Sequence, residues 1–252
     1  MRLIQNELKR FLNKRDSLII MGILAIAPAI LSVCFRLELG GISLTGQMSM
    51  LEYMLMIWSF LKYVFILYII PIYLPCNFIA KEIEHRSVQI LLMHEAKSKI
   101  LISKLAALVI EISVFMCLFF TVTAGSYQFI IRGTAYEAVG MVTSYTAGKT
   151  FILFGFQWLE MIFLLCLSVL FSIILKGNTV LVATLGFVAI EKIFENVDSL
   201  KSYLPLYIAD FANLQDKLGQ GNAYVLQSLL VYGALLTILL TSSIYVWNKR
   251  EY

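Results

Sequence analysis

Charged residues are scarce in this chain of 252 residues. Only 14% of its residues are Asp, Glu, Lys or Arg, whereas 60% are hydrophobic and the mean hydropathy is +0.84. Soluble domains average about 25% charged residues. This scarcity excludes an ordinary soluble domain and predicts an integral membrane protein. The length allows about six spans of roughly 20 residues each and leaves no room for a soluble catalytic domain.

Signatures of catalysis, metal binding and nucleotide binding are also missing. The chain has two His and four Cys, and all four Cys lie in or at the ends of apolar runs, where thiols behave as small hydrophobes. Residues 147–150 (AGKT) end like a phosphate loop, but Thr143 occupies the position of its first glycine. We therefore expect no enzyme activity, no metal site and no cofactor in this chain. The net charge of +4 requires no nucleic-acid partner.

The apolar runs predict an all-α membrane protein, with 1–252 forming a single transmembrane domain. The predicted spans are 18–35, 55–80, 101–124, 151–175, 179–195 and 224–246. Residues 1–17 have helical apolar spacing with basic side chains on the remaining arc, which predicts an amphipathic helix in the membrane interface, in contact with lipid. Residues 196–223 contain an apolar island that is too short to span, which predicts a re-entrant segment or an ordered surface loop before span six.

The distribution of basic residues predicts the orientation of the chain. Of the 20 Lys and Arg residues, 13 lie in 1–17, in 81–104, at Lys176 and after the last span. Short loops rich in Lys and Arg remain on the cytoplasmic side of a membrane. We therefore predict that both termini and the loop 81–100 are cytoplasmic and that 196–223 lies outside.

The charged island 81–104 (KEIEHRSVQILLMHEAKSKILISK) separates two apolar runs. On a helix spanning 82–95, its apolar residues fall on one face that could fill a pocket of a partner protein. The predicted apolar anchors are Ile83, Val88, Leu91 and Leu92, and the predicted polar contacts are Glu82, Glu84 and Arg86. The alternative is that this face only rests on the inner membrane surface.

Four ionisable residues lie inside predicted spans: Lys62, Glu111, Glu160 and Glu191. A carboxylate at the middle of a bilayer costs about 2.5–3.5 kcal/mol on insertion scales, so each is expected to face the bundle interior, a wet cavity or a partner. We predict that Glu111 and Glu160 lie inside the bundle. For Lys62 and Glu191, a position at the interface with the charged end reaching water is the alternative.

The order of these features resembles the membrane subunit of a type-2 ABC exporter. The charged island carries acidic residues, a small polar residue, a Leu pair, a further polar position and a lysine that enters span three. These positions are Glu82, Glu84, Ser87, Leu91, Leu92, Ser98 and Lys104. The glycine and the proline that are usual in this pattern are replaced by Arg86 and Glu95.

The resemblance implies a permease that pairs with a second permease subunit, identical or not, in the bacterial cytoplasmic membrane. It further implies that a separate nucleotide-binding ATPase subunit, which holds ATP and Mg, docks on 82–95 as the coupling helix. The expected cargo is an amphipathic or hydrophobic molecule such as a peptide, a peptide antibiotic or a drug. Two alternatives remain open: a proton-coupled secondary transporter that uses Glu111 and Glu160, and a membrane protein that binds a peptide for immunity without transport.

Overall fold

The computed structural model describes residues 2–39, 46–85, 88–89, 93, 95–138, 147–218 and 222–250. The helices in these ranges are α1 (Arg2–Leu12), α2 (Arg15–Arg36), α3 (Met50–Tyr63), α4 (Ile66–Pro75), α5 (Lys81–Glu84), α6 (Lys97–Ser126), α7 (Ala147–Ile174), α8 (Thr179–Phe194), α9 (Pro205–Ile208), α10 (Phe211–Leu218) and α11 (Asn222–Lys249). Residues Cys76–Ala80 and Tyr127–Ile131 are π-helical, and Lys201–Tyr203 is a 3₁₀ turn. The described part of the chain is therefore all-α, as predicted.

Five helical segments of the described chain are long and apolar enough to cross a membrane. They are Arg15–Arg36, Ile66–Glu84, Lys97–Ile131, Gly148–Ile174 and Ala223–Lys249. These helices indicate a multi-pass membrane protein. The predicted fifth span at 179–195 corresponds to α8, whose 16 residues fall short of the roughly 20 that a bilayer requires. A sixth crossing therefore stays a prediction.

The predicted second span, 55–80, differs from the structure. The helix is interrupted after Tyr63, and Phe65 adopts a left-handed backbone with φ of 62° before α4 begins at Ile66. The segment of spanning length is therefore Ile66–Glu84, and α3 is a separate helix. Ser49 and Glu52 start α3 with a capping box, in which the Ser49 side chain accepts from the Glu52 N–H and the Glu52 carboxylate accepts from the Ser49 N–H.

The two prolines in α4 do not end the helix. Proline lacks the N–H that an α-helix requires, and the turn after Pro75 widens into the π-helical segment Cys76–Ala80. Ser168 of α7 donates a 3.0 Å hydrogen bond to the Ile72 carbonyl in the preceding turn. A neighbouring helix thereby supplies a hydrogen bond to the backbone in the proline-containing stretch, as bilayer-embedded helices require.

Helix α7 lies at the centre of the bundle. In its most apolar stretch of 18 residues, 72% of the residues are buried, against 22% in the same length of α2 and 11% in α11. It packs against α4, α8 and α11, while α6 packs against α1 and α2. The central helix thus contacts protein on most sides, whereas α2 and α11 direct most of their apolar side chains outward, as lipid-facing helices do.

The bundle has two distinct faces. One, the terminal face, holds α1, α5, the start of α6 and the end of α11. There the Trp247 indole N–H donates to the Lys97 carbonyl at 2.8 Å, and Lys97 Nζ donates to the Arg250 carbonyl at 2.8 Å. The other, the far face, holds the described parts of the connections α2–α3, α6–α7 and α8–α11.

On the far face, the backbone of Met48 joins two of these connections. Its N–H donates to the Tyr136 carbonyl at 2.9 Å. Its carbonyl accepts from the Ala138 N–H at 3.1 Å and from the Tyr127 hydroxyl at 2.8 Å. The connection before α3 is therefore fastened to the end of α6 and to the segment that follows it.

Candidate functional site

The terminal face contains a cluster of four charged side chains, the terminal ion cluster: Glu7 and Arg10 of α1, Glu82 of α5 and Lys104 of α6. Glu7, Glu82 and Lys104 are buried, whereas Arg10 is exposed. Lys104 Nζ lies 3.1 Å from Glu7 Oε1 and 2.8 Å from Glu82 Oε2. Arg10 lies 2.6 Å from Glu82 Oε1 and 3.9 Å from Glu7 Oε2. Two cations therefore face two anions, and Lys104 is completely buried.

Aromatic packing joins α1 to the π-helical segment that precedes α5. The Phe11 and Phe78 rings pack with centroids 3.9 Å apart, and Lys14 Nζ lies 4.0 Å from the centre of the Phe78 ring. Burial and the charge of Arg10 lower the pKa of Lys14. Desolvating a charge costs several kcal/mol, and opposite charges offset this cost only while they stay in contact. Helices α1, α5 and the start of α6 are therefore expected to move as one unit.

The residues predicted to couple to an ATPase lie in different environments. Glu84 is exposed, Ile83 is partly buried, and Val88 is buried in the hydrophobic core. Glu82 is buried and bound to Arg10 and Lys104, and its predicted contact with an ATPase subunit stays a prediction. The remaining predicted residues, Arg86, Leu91 and Leu92, lie outside the described residues.

A second polar group, the core polar cluster, lies inside the bundle and consists of Lys62 of α3, Tyr68 of α4, and Gln157 and Glu160 of α7. Lys62 Nζ donates to Gln157 Oε1 and to Glu160 Oε2, both at 2.8 Å. The Tyr68 hydroxyl donates to Glu160 Oε1 at 2.9 Å. Glu160 and Gln157 are completely buried, and Lys62 is 5% exposed.

This cluster lies at the interruption between α3 and α4. Lys62 is in the last turn of α3 and Tyr68 is in the first turn of α4, and both donate to the same carboxylate of Glu160. The left-handed backbone at Phe65 is unfavourable for a residue with a side chain. Glu160 therefore holds the two halves of a broken helix in position.

Glu111 is completely buried where α6 meets α2. Its Oε1 accepts a hydrogen bond from the Ser17 hydroxyl at 2.7 Å. In the described part of the chain, Oε2 of this carboxylate has no hydrogen-bond partner. The side chain thus lies inside the bundle, and the use of its carboxylate in transport stays a prediction.

Glu191 is also buried, with 3% of its side chain exposed. Its Oε1 accepts from the Leu206 backbone N–H at 2.7 Å, which satisfies an otherwise unpaired donor near the start of the short helix α9. The neighbouring Lys192 instead pairs with Glu195 at 2.6 Å. Glu191 therefore attaches the end of α8 to the segment on the far face.

These arrangements pair charged and polar side chains across helix interfaces. In the described part of the chain, no group of three or more His, Cys, Asp or Glu residues could hold a metal ion. The buried charged groups join helices that are distant in sequence, and each depends on a partner across a helix interface. Such pairs can hold one arrangement of helices and release it when a partner element moves.

Several members of these clusters were missed from the sequence. Gln157 precedes Glu160 by three residues, so the two share a helix face, and this spacing could have identified it. Glu7 and Ser17 lie near the N-terminus, 97 and 94 residues from their partners Lys104 and Glu111. No local pattern in the sequence links such distant residues.

Comparison with protein-family models and with curated proteins gives no match. The function is therefore argued from the residues and the geometry.

Proposed function

We propose that the chain is the permease subunit of an ATP-driven ABC exporter, which moves an amphipathic or hydrophobic molecule out of the cell. The observation that carries this proposal is the terminal ion cluster. It ties α1, the first residues of the charged island and the start of α6 through contacts of Glu7, Arg10, Glu82 and Lys104. A displacement of the island would therefore be passed directly to a spanning helix.

Contacts of α6 would pass such a displacement further into the bundle. Glu111 of α6 is bonded to Ser17 of α2, and Trp58 of α3 packs on Phe119 of α6 with ring centroids 5.1 Å apart. Interiors packed in this way switch between discrete arrangements rather than deforming smoothly. Movement of α6 would thus reposition α2 and α3, as alternating access requires.

An apolar cavity of about 470 Å³ between α2 and α4 supports a hydrophobic cargo. Its walls are mainly isoleucine side chains, including Ile19, Ile23 and Ile69, and Asp16 lies at one end. Cavities of this size accommodate drug-sized molecules. An apolar wall with one carboxylate suits an amphipathic molecule.

In this proposal the chain supplies no ATPase activity. A separate nucleotide-binding subunit with ATP and Mg docks on the charged island, and a second permease subunit completes the pathway. The Lys and Arg distribution orients both termini and the island toward the cytoplasm of a bacterial cell.

A proton-coupled secondary transporter is the second candidate, and the core polar cluster favours it. A buried lysine–carboxylate pair at an interrupted helix is typical of substrate and ion sites in secondary transporters. A peptide-binding immunity protein that does not transport is the third reading, and no specific contact favours it.

Uptake into inside-out membrane vesicles separates these functions. The exporter requires uptake of a fluorescent amphipathic amine that depends on ATP, fails with a non-hydrolysable ATP analogue and persists with a protonophore. Uptake that is abolished by the protonophore but not by the non-hydrolysable ATP analogue would support the secondary transporter. No chain-dependent uptake under either condition would contradict both.

Lys104→Met then tests the route of force. It is expected to reduce ATP-driven uptake while the chain still inserts in the membrane. The matched control is Lys99→Met, because Lys99 is exposed and its ion pair is with Glu95, four residues earlier in the chain. Equal uptake by both variants would contradict transmission through the terminal ion cluster.

A further inference from the structure

A cleft opens on the far face beside the interruption between α3 and α4. Its inner chamber has a volume of about 240 Å³ and is lined by Lys62, Tyr63, Phe65, Tyr68, Lys192 and Asp210. A second chamber of about 460 Å³ shares Ser59, Tyr63 and Asp210 with the first. The two chambers are therefore parts of one cleft between α3, α8 and the start of α10.

The charges in the inner chamber are unbalanced. Lys62 is paired with Glu160, and Lys192 is paired with Glu195. Asp210 takes part in no ion pair within the described part of the chain. Its carboxylate accepts hydrogen bonds from the Tyr63 hydroxyl at 3.4 Å and from the backbone of residues 212 and 213. Asp210 therefore makes no direct contact with a cation in the described part of the chain, although Lys192 lines the same chamber.

The protein places a cation of its own beside this wall. Lys192 Nζ is 2.6 Å from Glu195 Oε1 and 5.8 Å from the centre of the Tyr63 ring. An ammonium group is attracted both to a carboxylate and to the face of an aromatic ring. Lys192 thus contacts one aromatic ring, that of Tyr63, and one carboxylate, that of Glu195. A second ammonium group could make the same two kinds of contact with the exposed Tyr63 ring and with Asp210.

The outer chamber differs in character. Its walls include Met56, Phe60 and Phe211, which suit an apolar group because Met and aromatic side chains adapt to varied shapes. The inner chamber is below the roughly 300–1,000 Å³ of pockets for drug-sized ligands, so it accommodates only a group the size of a side chain. A ligand that fills both chambers carries a small charged end and a larger apolar body.

We propose that this cleft binds an amphipathic primary amine, with its ammonium group between Asp210 and the Tyr63 ring and its apolar body against Met56, Phe60 and Phe211. One part of this inference rests on the proposed function, namely that the bound amine is cargo of the exporter near its point of release. Binding itself requires neither ATP nor a partner subunit.

Binding of dansylcadaverine, a dansyl group with a five-carbon primary ammonium, tests the site. The full chain is placed in nanodiscs of zwitterionic phosphatidylcholine, and dansyl fluorescence is titrated. N-acetyl dansylcadaverine is the matched ligand control, because it keeps the dansyl group and the linker but has no charge. The amine is expected to bind about tenfold more tightly than the acetylated compound, as for loss of one charge-assisted hydrogen bond. Equal affinity would overturn the proposal.

Two substitutions locate the ammonium. Asp210→Asn keeps an oxygen for the backbone donors at the start of α10 but removes the charge, and it is expected to weaken amine binding about tenfold. Lys192→Met removes the resident ammonium and is expected to tighten binding by about threefold to tenfold. Asp198→Asn is the control, because Asp198 is an exposed residue that pairs with Lys201. Unchanged binding in Asp210→Asn would place the amine elsewhere and overturn the site.

The outcomes for binding and transport are distinct. Tight amine binding that depends on Asp210, without ATP-driven uptake, supports the site and contradicts the exporter. Uptake that persists unchanged in Asp210→Asn, together with unchanged binding, contradicts the site and leaves the exporter intact.

Discussion

The terminal ion cluster and the core polar cluster both bury a lysine, yet they are built differently. Lys104 faces two carboxylates and has a second cation, Arg10, beside it. Lys62 faces one carboxylate, and the amide of Gln157 supplies its other acceptor. Charges of the first cluster join three separate elements, whereas the second holds two halves of one interrupted helix against α7. The terminal ion cluster is therefore suited to pass movement from one element to another, and the core polar cluster is suited to keep the interrupted helix in one conformation.

This difference predicts unequal tolerance to loss of one partner. The core cluster has one anion for its lysine, so removal of Glu160 leaves a buried charge without a counterion. The terminal cluster retains an opposite charge after any single loss. We therefore expect a larger loss of stability from a substitution in the core polar cluster than from one in the terminal ion cluster.

Glu160→Leu is expected to have the largest effect. It leaves Lys62 buried with only a neutral acceptor, and breaking a buried pair costs about 3–5 kcal/mol of unfolding free energy. Steric trapping in bicelles measures this free energy. The double variant Lys62→Met with Glu160→Leu is expected to recover part of the loss, because no uncompensated charge remains. A double variant as unstable as the single one would show that packing, not charge, determines the effect.

Lys104→Met is expected to cost less, about 1.5–3 kcal/mol, as for loss of hydrogen bonds to charged groups. Arg10 still neutralises part of the remaining charge on Glu7 and Glu82. Amide hydrogen exchange is expected to accelerate in α1, because its attachment to α6 is weakened. Exchange that accelerates only in α6, with α1 unaffected, would contradict a shared cluster. Lys99→Met provides the exposed control.

Glu111→Leu tests a buried carboxylate whose hydrogen-bond partner is neutral. The Ser17 hydroxyl loses its acceptor, at a cost of about 1–3 kcal/mol. Glu111→Gln keeps an acceptor of the same size and is expected to cost less than the leucine variant. The same unfolding assay compares them. If the glutamine variant is the more damaging, the charge of Glu111 matters beyond its bond to Ser17. Unchanged ATP-driven uptake in both variants would make this carboxylate incidental to transport.

Trp247→Phe is expected to have the smallest effect, about 0.5–1.5 kcal/mol, because one neutral hydrogen bond to the Lys97 carbonyl is lost. It tests whether the end of α11 is fastened to the terminal face. Trp158→Phe is the matched control, since its indole donates to Ser113 at a partly exposed site. Faster exchange at the start of α6 is expected only for Trp247→Phe. The same change in both variants would argue against a specific attachment of α11.

The sequence predicted the helices better than their interruptions. Apolar runs locate α2, α6, α7 and α11 because a bilayer requires continuous apolar stretches. The break at Val64 and Phe65 contains neither glycine nor proline, whereas Pro71 and Pro75 lie inside a helix that continues. The break after Tyr63 therefore could not be predicted from the usual helix-breaking residues. The residues on either side of the break, Lys62 and Tyr68, instead contact Glu160, which is 98 and 92 residues away in the sequence.

The candidate site was predictable only in part. The cost of a buried charge singled out Lys62, Glu111, Glu160 and Glu191, and all four lie buried. Their partners could not be predicted, because pairing across a bundle depends on how the helices are arranged. Glu82 shows the same limit, since its ion pairs with Arg10 of α1 and Lys104 of α6 could not be predicted from its place in the charged island.

The fastening of Met48 restricts how the far face can open. Three hydrogen bonds join its backbone to Tyr127, Tyr136 and Ala138, so separating α3 from α6 would break all of them together. At the other end of α3, the Tyr63 hydroxyl donates to Asp210 over 3.4 Å, which is a long and weak hydrogen bond. The contacts of Met48 are therefore expected to hold when the contact between Tyr63 and Asp210 breaks, so α3 would separate from Asp210 before it separates from α6.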